Sequence, residues 1–280
     1  EFSATYRNRD RDFKYELSAN LSTLRNRVTS LGFGTDSYIS GAYITNVGQE
    51  IGQFYGWAYE GIARTQEDLD NHATQEGAQI GDCLYKDISG PDGKPDGKVD
   101  ANDQVVLGSG MPKIHFGLNA RFEYKRFDLS IATFGALNYH VSDDIYNSLN
   151  SCYGWGNKEV GMLDANRFSE DGSTYLSNVP RTYVTNSASL GWNDLFSSRK
   201  IQNAAYWKIA NVELGYNFPN EWFGKYVSDV RFYVSAQNLH TFTGYHGYNV
   251  DYAGGTFTPG YNFCSYPTAR TFMCGVHFTF

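Results

Sequence analysis

Long apolar runs are missing from this sequence. No stretch reaches the roughly 20 residues that a membrane-spanning helix requires, and mean hydropathy is −0.47. A membrane is not thereby excluded, because a spanning β-strand shows only about 10 residues of weak alternation. Basic excess is also missing: 23 Lys and Arg face 30 Asp and Glu, a formal charge of −7. Nucleic acid is therefore a poor partner, since phosphate neutralisation needs a basic face. The four cysteines (Cys83, Cys152, Cys264 and Cys274) show no CxxC spacing, which argues against zinc or a thioredoxin-like site. A disulfide among the first three stays open, and Cys274 reads as a small hydrophobe. No GxSxG elbow and no P-loop occur, and the six histidines have no partners at metal-ligand spacing. His240 and His246 sit in an aromatic run and read as structural or stacking residues. Nothing resembles an enzyme. The chain opens on an alternating segment rather than a signal peptide, so it is expected to be a piece of something longer or a processed product.

What is abundant points to β-structure. Aromatics reach 16%, with 22 Tyr and 19 Phe, and glycine is frequent at 29 against 7 prolines. Aromatic side chains suit pleated strands and glycine supplies turns. Seven segments carry a period of two, at 2–6, 13–21, 114–124, 127–131, 212–218, 230–236 and 272–280. In the last of them Phe272, Cys274, Val276, Phe278 and Phe280 alternate with Met273, Gly275, His277 and Thr279. Each segment has one apolar and one polar face, as a half-exposed strand requires.

The connections are of two kinds. Short ones fall at 8–11, 125–126 and about 219–229, and long ones cover 25–112, 140–203 and 241–270. The two kinds alternate, so every short connection lies on one side of the sheet and every long one on the other. Structureless loops of that length are unusual in compact domains, but outer-membrane barrels combine short periplasmic turns with long extracellular loops. Seven strands is an odd number, and bacterial single-chain barrels close with an even one. The expected fold is all-β: the C-terminal part of a large transmembrane barrel, with Asp128, Glu123, Arg121 and Arg231 facing the lumen. The alternative is a secreted, calcium-stabilised β-sandwich that binds glycans, because sandwich strands alternate in the same way.

The acidic stretch "DISGPDGKPDGKVDANDQ" (87–104) is the best candidate for a site. With Asp92 at position 1 of an EF-type loop, Asp96 falls at position 5, Gly97 at 6, Lys98 at 7 through its carbonyl, Asp100 at 9 and Asp103 at 12. A hard cation such as Ca²⁺ needs several oxygens, and the glycine permits the sharp turn. Val99 would anchor the loop to apolar neighbours. Lys94 stands at position 3, where it cannot ligate, and Asp87 is the substitute ligand. A solvated Asp/Gly/Pro turn accounts for the same residues.

Several stretches together resemble one family, the SusC-like (RagA-type) TonB-dependent outer-membrane transporters of Bacteroidetes. They are "IGQFYGWAYEGIAR" (51–64), "GDCLYKDISG" with "DGKVDANDQVVLGSGMPKIHFGLN" (81–119), "YWKIANVELGYNFP" (206–219), "VRFYVSAQNLHTFTGYHGYNVD" (230–251) and "YPTARTFMCGVHFTF" (266–280). The resemblance departs at Asn249, Val250 and Asp251, where the family has Asp-Pro-Glu. It implies a 22-stranded barrel with a plugged lumen, of which these strands are the last, with the plug and the TonB-contacting part outside this chain. It further implies TonB-dependent import of oligosaccharides or peptides in the outer membrane of a Gram-negative cell. The implied partners are a SusD-like surface lipoprotein, the remaining strands and plug, membrane lipid and lipopolysaccharide.

Under that reading the long loops supply the cargo cavity. Tyr153, Trp155, Trp192, Tyr245, Tyr248, Tyr252 and Tyr261 offer flat apolar faces with polar edges to a sugar, or else they form the interfacial girdle. Phe272, Val276, Phe278 and Phe280 resemble the terminal signal by which outer-membrane barrels are handed to their assembly machinery.

Overall fold

The computed structural model describes residues 1–151, 157–160, 179–181, 191–223, 227–251 and 254–280. In chain order the strands are β1 (Phe2–Asn8), β2 (Phe13–Thr23), β3 (Ser37–Ser40), β4 (Tyr43–Asn46), β5 (Gln53–Trp57), β6 (Tyr59–Ile62), β7 (Cys83–Tyr85), β8 (Gln104–Ser109), β9 (Ile114–Tyr124) and β10 (Phe127–Leu137). They continue with β11 (His140–Asp143), β12 (Gln202–Asn203), β13 (Tyr206–Asn217), β14 (Asp229–Thr243), β15 (Tyr261–Asn262) and β16 (Thr271–Thr279). Two short helices, α1 (Gln66–Asn71) and α2 (Asp144–Leu149), lie in the long connections.

Seven long strands form one antiparallel sheet in the order β1-β2-β9-β10-β13-β14-β16. Each is paired with its neighbour among the seven in sequence, so the sheet is a meander whose two edges, β1 and β16, stay unjoined. Directly opposed residues in such a sheet share a face, which lets whole rows be read across it. One row runs Tyr6, Leu17, Ala120, Ile131, Val212, Ala236, Phe272. Toward the short turns lies Phe13, Tyr124, Phe127, Tyr216, Phe232, Val276. Toward the long loops lies Phe2, Leu21, Phe116, Gly135, Trp207, Phe242. The two aromatic rows are eight residues apart on β9, about 26 Å along the strand, the scale of a barrel's apolar band with its flanking girdles.

This apolar face is the exposed one: Phe2, Phe13, Tyr124, Phe127, Leu214, Phe232 and Val276 are all open to solvent in the isolated chain. A sandwich would bury that face against a second sheet; among the described residues nothing covers it. A contiguous apolar surface of this extent belongs against lipid or a partner. The opposite face is charged. Arg7 pairs with Glu16 at 2.7 Å, Arg121 with Glu123 at 3.1 Å, and Arg231 with both Asp128 and Glu213 at 2.5 and 2.7 Å.

Three strands run further toward the long loops than their alternation indicates. β10 extends to Leu137, β13 begins at Tyr206 and β14 ends at Thr243. On β13 and β14 a break in the register is the reason. Thr133 pairs with Ile209 and Ala132 with Asn211, leaving Ala210 over, and β14 skips Asn238 and Leu239 with Asn238 at φ 50°. On β13 the one extra residue inverts the alternation, so the period of two breaks while the ladder continues; the two residues skipped on β14 keep its parity.

Candidate functional site: the loop cluster at one end of the sheet

All long connections emerge at the same end of the sheet and fold onto one another there. Small sheets β3-β4-β5-β8, β6-β7 and β12-β11-β15 give them structure. The last loop returns through β15, which pairs in parallel with β11, and its Pro259 lies so close to Gly110 that a Cβ there would collide with the Pro259 carbonyl. Glycine at 110 is thus needed for contact between the first and last loops.

The last loop is also tied to the long strands. Lys208, 4% exposed on the polar face of β13, donates to Asp251 at 2.5 Å. Tyr139 donates its hydroxyl to the carbonyl of Val250 at 3.0 Å. Ala136, Tyr139, Val141, Ala204, Tyr206, Tyr245 and Val250 form the core beneath. Burial pushes the Tyr139 phenol up, and the charge of Asp251 adds to it, so the hydroxyl stays a donor. Asp143 is buried as well: its carboxylate accepts from the Tyr245 hydroxyl, from Asn262 Nδ2 at 3.0 Å and from the Tyr146 N–H at 2.8 Å.

A second cluster joins the first and middle loops. Cys83, Tyr85 and Val99 form its buried centre, with Trp57, Tyr59, Ala73, Trp192 and Leu195 packed on them. Asp82, 1% exposed, receives Arg181 Nε at 2.5 Å and Nη2 at 3.0 Å, and Asn193 Nδ2 at 2.8 Å. Beside this core is a half-open cavity of about 520 Å³ lined by Trp57, Glu76, Asp100, Trp192 and Leu195. Both indoles are held by their N–H groups, Trp57 to the Asp100 carbonyl at 3.0 Å and Trp192 to the Glu76 carbonyl at 2.9 Å. Fixed aromatic faces beside carboxylates form a surface that accepts the apolar face and hydroxyl edge of a polar ring.

Trp192 therefore lines a cavity, while Tyr248 stands exposed on the surface and Tyr261 is half-buried in β15. Tyr245 needs correcting. It is 6% exposed, so its ring has no open face for cargo and its hydroxyl serves Asp143 and Asn262. Tyr153, Trp155 and Tyr252 lie outside the described residues. Trp57 is the cavity residue that sequence reading passed over, although it stands in the quoted "FYGWAYEG" segment. The histidines make aromatic contacts: His240 sits on Phe242 with centroids 4.5 Å apart and His246 stacks on Tyr146 at 5.7 Å. Cys274 shares the apolar face with Val234, and it and Cys264 carry free thiols. Phe272, Val276, Phe278 and Phe280 are all exposed on or beside the edge strand β16.

The acidic loop closes on its own backbone. Asp103, fully buried, accepts from the N–H groups of Ile88, Ser89 and Asp100 at 2.7–2.9 Å. Asp87 accepts from Asp96 and Gly97, Asp96 from Lys98, and Asp100 from Asn102. Asp92 is exposed, and Val99 is buried at 4%. Among the described residues no group of three or more His, Cys, Asp or Glu side chains is placed to hold a metal ion.

No protein-family model matches the chain. It is 29% identical over its whole length to TonB-dependent receptor P3 of Formosa agariphila, covering 28% of that protein. Over 96% of its length it is 24% identical to TonB-dependent receptor SusC of Bacteroides thetaiotaomicron, covering 25% of it. In fold it is similar to a chain of the RagAB peptide transporter, with a TM-score of 0.76 at 20% identity, covering 98% of this chain and 28% of that one. The chain thus spans little more than a quarter of the proteins it matches. Relatives in sequence and neighbours in fold agree: the chain is similar to about a quarter of TonB-dependent receptors, SusC among them, and it has the fold of the matching part of a RagAB transporter chain.

Proposed function

We propose that this chain forms the closing part of the barrel wall, and part of the cargo vestibule, of an outer-membrane importer that is energised through TonB and works with a SusD-like surface lipoprotein. The observation that carries the reading is the two-faced sheet. Apolar rows bounded by aromatic girdles face outward to lipid, a charged face lines the interior, and all long loops gather at one end. The spacing of the two aromatic rows supports an apolar band of bilayer thickness, and in this reading the interlocked loops above it are the surface that cargo and lipoprotein meet. The cavity between Trp57 and Trp192 suits oligosaccharide rings; peptide cargo, which the RagAB transporter carries by its name, is the other class. Phe272, Val276, Phe278 and Phe280 act as the assembly signal in this reading.

The test uses the complete receptor that carries this segment. Extraction from the outer-membrane fraction should require detergent, and the receptor should co-purify with a lipoprotein. Uptake of an oligosaccharide panel should be abolished by uncoupler, and Trp57→Ala with Trp192→Ala should weaken uptake of glycans while leaving peptide uptake unchanged. A receptor that stays folded and monomeric without detergent overturns the proposal.

A further inference from the structure

A further cavity, of about 940 Å³, lies apart from the one between Trp57 and Trp192. Its lining includes Arg25, Arg27, Lys113, Glu50, Gln53 and Asn138. Lys113 pairs with Glu50 at 3.2 Å. Arg25 and Arg27, both exposed, have no ion-pair partner among the described residues. Three cations and one anion thus share a cavity on a chain whose net charge is −7. A concave site of one sign focuses counter-charge even when the whole molecule has the opposite sign.

The guanidinium groups project from a backbone that is pinned at both ends. Leu24 N–H donates to the Lys113 carbonyl at 2.9 Å, and Val28 exchanges hydrogen bonds with Gln49 and Gly48 at 2.9 and 2.8 Å. Between the two arginines, Asn26 accepts from the Ile51 N–H at 3.0 Å. Little ordering is left to offset when a ligand binds. Thr23 and Ile114, which also line the cavity, form the last rung of β2 and β9, two rungs beyond the Leu21–Phe116 pair of the aromatic row at the long-loop end. In the importer reading, on which this step rests, that is the depth of the outer-leaflet headgroups.

We propose that Arg25, Arg27 and Lys113 form a binding site for a phosphate-class oxyanion, supplied by a phosphorylated outer-leaflet glycolipid. Guanidinium groups match phosphate oxygens bidentately, and basic pockets at membrane depth bind lipid headgroups. The same chemistry would accept a soluble phosphate, so both sources are tested.

The complete receptor, in a neutral detergent, is titrated with a bis-phosphorylated diglucosamine lipid and separately with inorganic phosphate. The lipid should bind, and R25Q/R27Q should weaken it about tenfold or more, the scale of losing charge-assisted hydrogen bonds. R25K/R27K, which keeps the charge but loses the bidentate fork, should fall between the unaltered receptor and R25Q/R27Q. A measurement on the unaltered receptor guards against a misfolded variant: raising salt from about 50 to 500 mM should weaken binding to a similar degree by screening. Binding of the lipid and not of inorganic phosphate supports the membrane source; binding of inorganic phosphate that competes with the lipid supports the site with a soluble source. Binding of neither, or equal binding by R25Q/R27Q, overturns the proposal. Because binding is read on solubilised receptor and not as uptake, such a result bears on the cavity and not on import.

Discussion

Arg231 on β14 reaches over Gly215 on β13 to grip Asp128 on β10, with Nη2 2.5 Å from the carboxylate. A Cβ at position 215 would collide with both the guanidinium and Asp128. The glycine is the gap through which a side chain spans three strands. The same guanidinium holds Glu213 at 2.7 Å, so one cation ties two anions of the interior face.

Gly215→Val should therefore break a tie between strands rather than remove a flexible joint. A cost of about 1–3 kcal/mol is expected from overpacking, seen as a lower unfolding temperature in detergent. Gly215→Ala should show a smaller loss, and stability unchanged in both variants would remove the gap from the account.

The Lys208–Asp251 pair should hold the last loop in place. Lys208→Met leaves Asp251 without its cation; because Asp251 is itself exposed, the cost expected is that of a lost charge-assisted hydrogen bond, about 1–3 kcal/mol. Limited proteolysis should cut within 241–270 faster in the variant and leave the long strands intact. An unchanged digestion pattern would count against the tie.

The two faces of the sheet should answer oppositely to charge. Leu214→Arg, on the exposed apolar face, should cost about 2–4 kcal/mol in a bilayer. Thr5→Arg, at an exposed position on the charged face, should be far milder. Refolding into liposomes with and without each substitution measures the difference, and equal penalties would contradict the assignment of faces.

A pH dependence follows from His140. Burial holds its imidazole below the ordinary histidine range, and the nearby Lys113 adds to the effect, against a backbone hydrogen bond involving Ser109. The unfolded chain therefore takes up the proton first as pH falls through about 6.5. The His140 contribution is complete above that pH and declines below it. Protection from hydrogen exchange in 137–143, taken relative to the intrinsic rate at each pH, should fall as pH drops from 7.5 to 5.5, and His140→Gln should flatten the change. Protection that falls equally in the variant would assign the effect elsewhere.

For the acidic loop, the committed carboxylates imply stiffness without a cation. Asp103→Ala should free three backbone donors and loosen 87–104, whereas chelator should leave its proteolysis unchanged. A saturable heat on adding calcium to chelator-treated receptor, with protection of the loop, would support the EF-type reading.

The barrel strands were legible because a strand's period of two is a local property: lipid on one side and polar interior on the other impose it residue by residue. Phe13, Tyr124, Phe127 and Tyr216 stand at strand ends in the sequence, and the pairing shows that they form one row. The side on which short turns and long loops fall follows from counting strands. Where the register breaks, at Ala210 and at Asn238, local reading stopped short, although the hydrogen-bonded ladder did not. The contacts that build the vestibule are of another kind. Asp82 meets Arg181 across 99 residues, Tyr245 meets Asp143 across 102 and Tyr85 meets Trp192 across 107. No periodicity encodes such distances, because loop residues at these separations are chosen by how the loops pack and not by their neighbours in sequence. The sequence by itself determined the wall, its two faces and the side of the loops. Only the tertiary structure decided which loop residues were spent on holding one another, as Tyr245 is, and which were left facing open space, as Trp57, Trp192, Arg25 and Arg27 are.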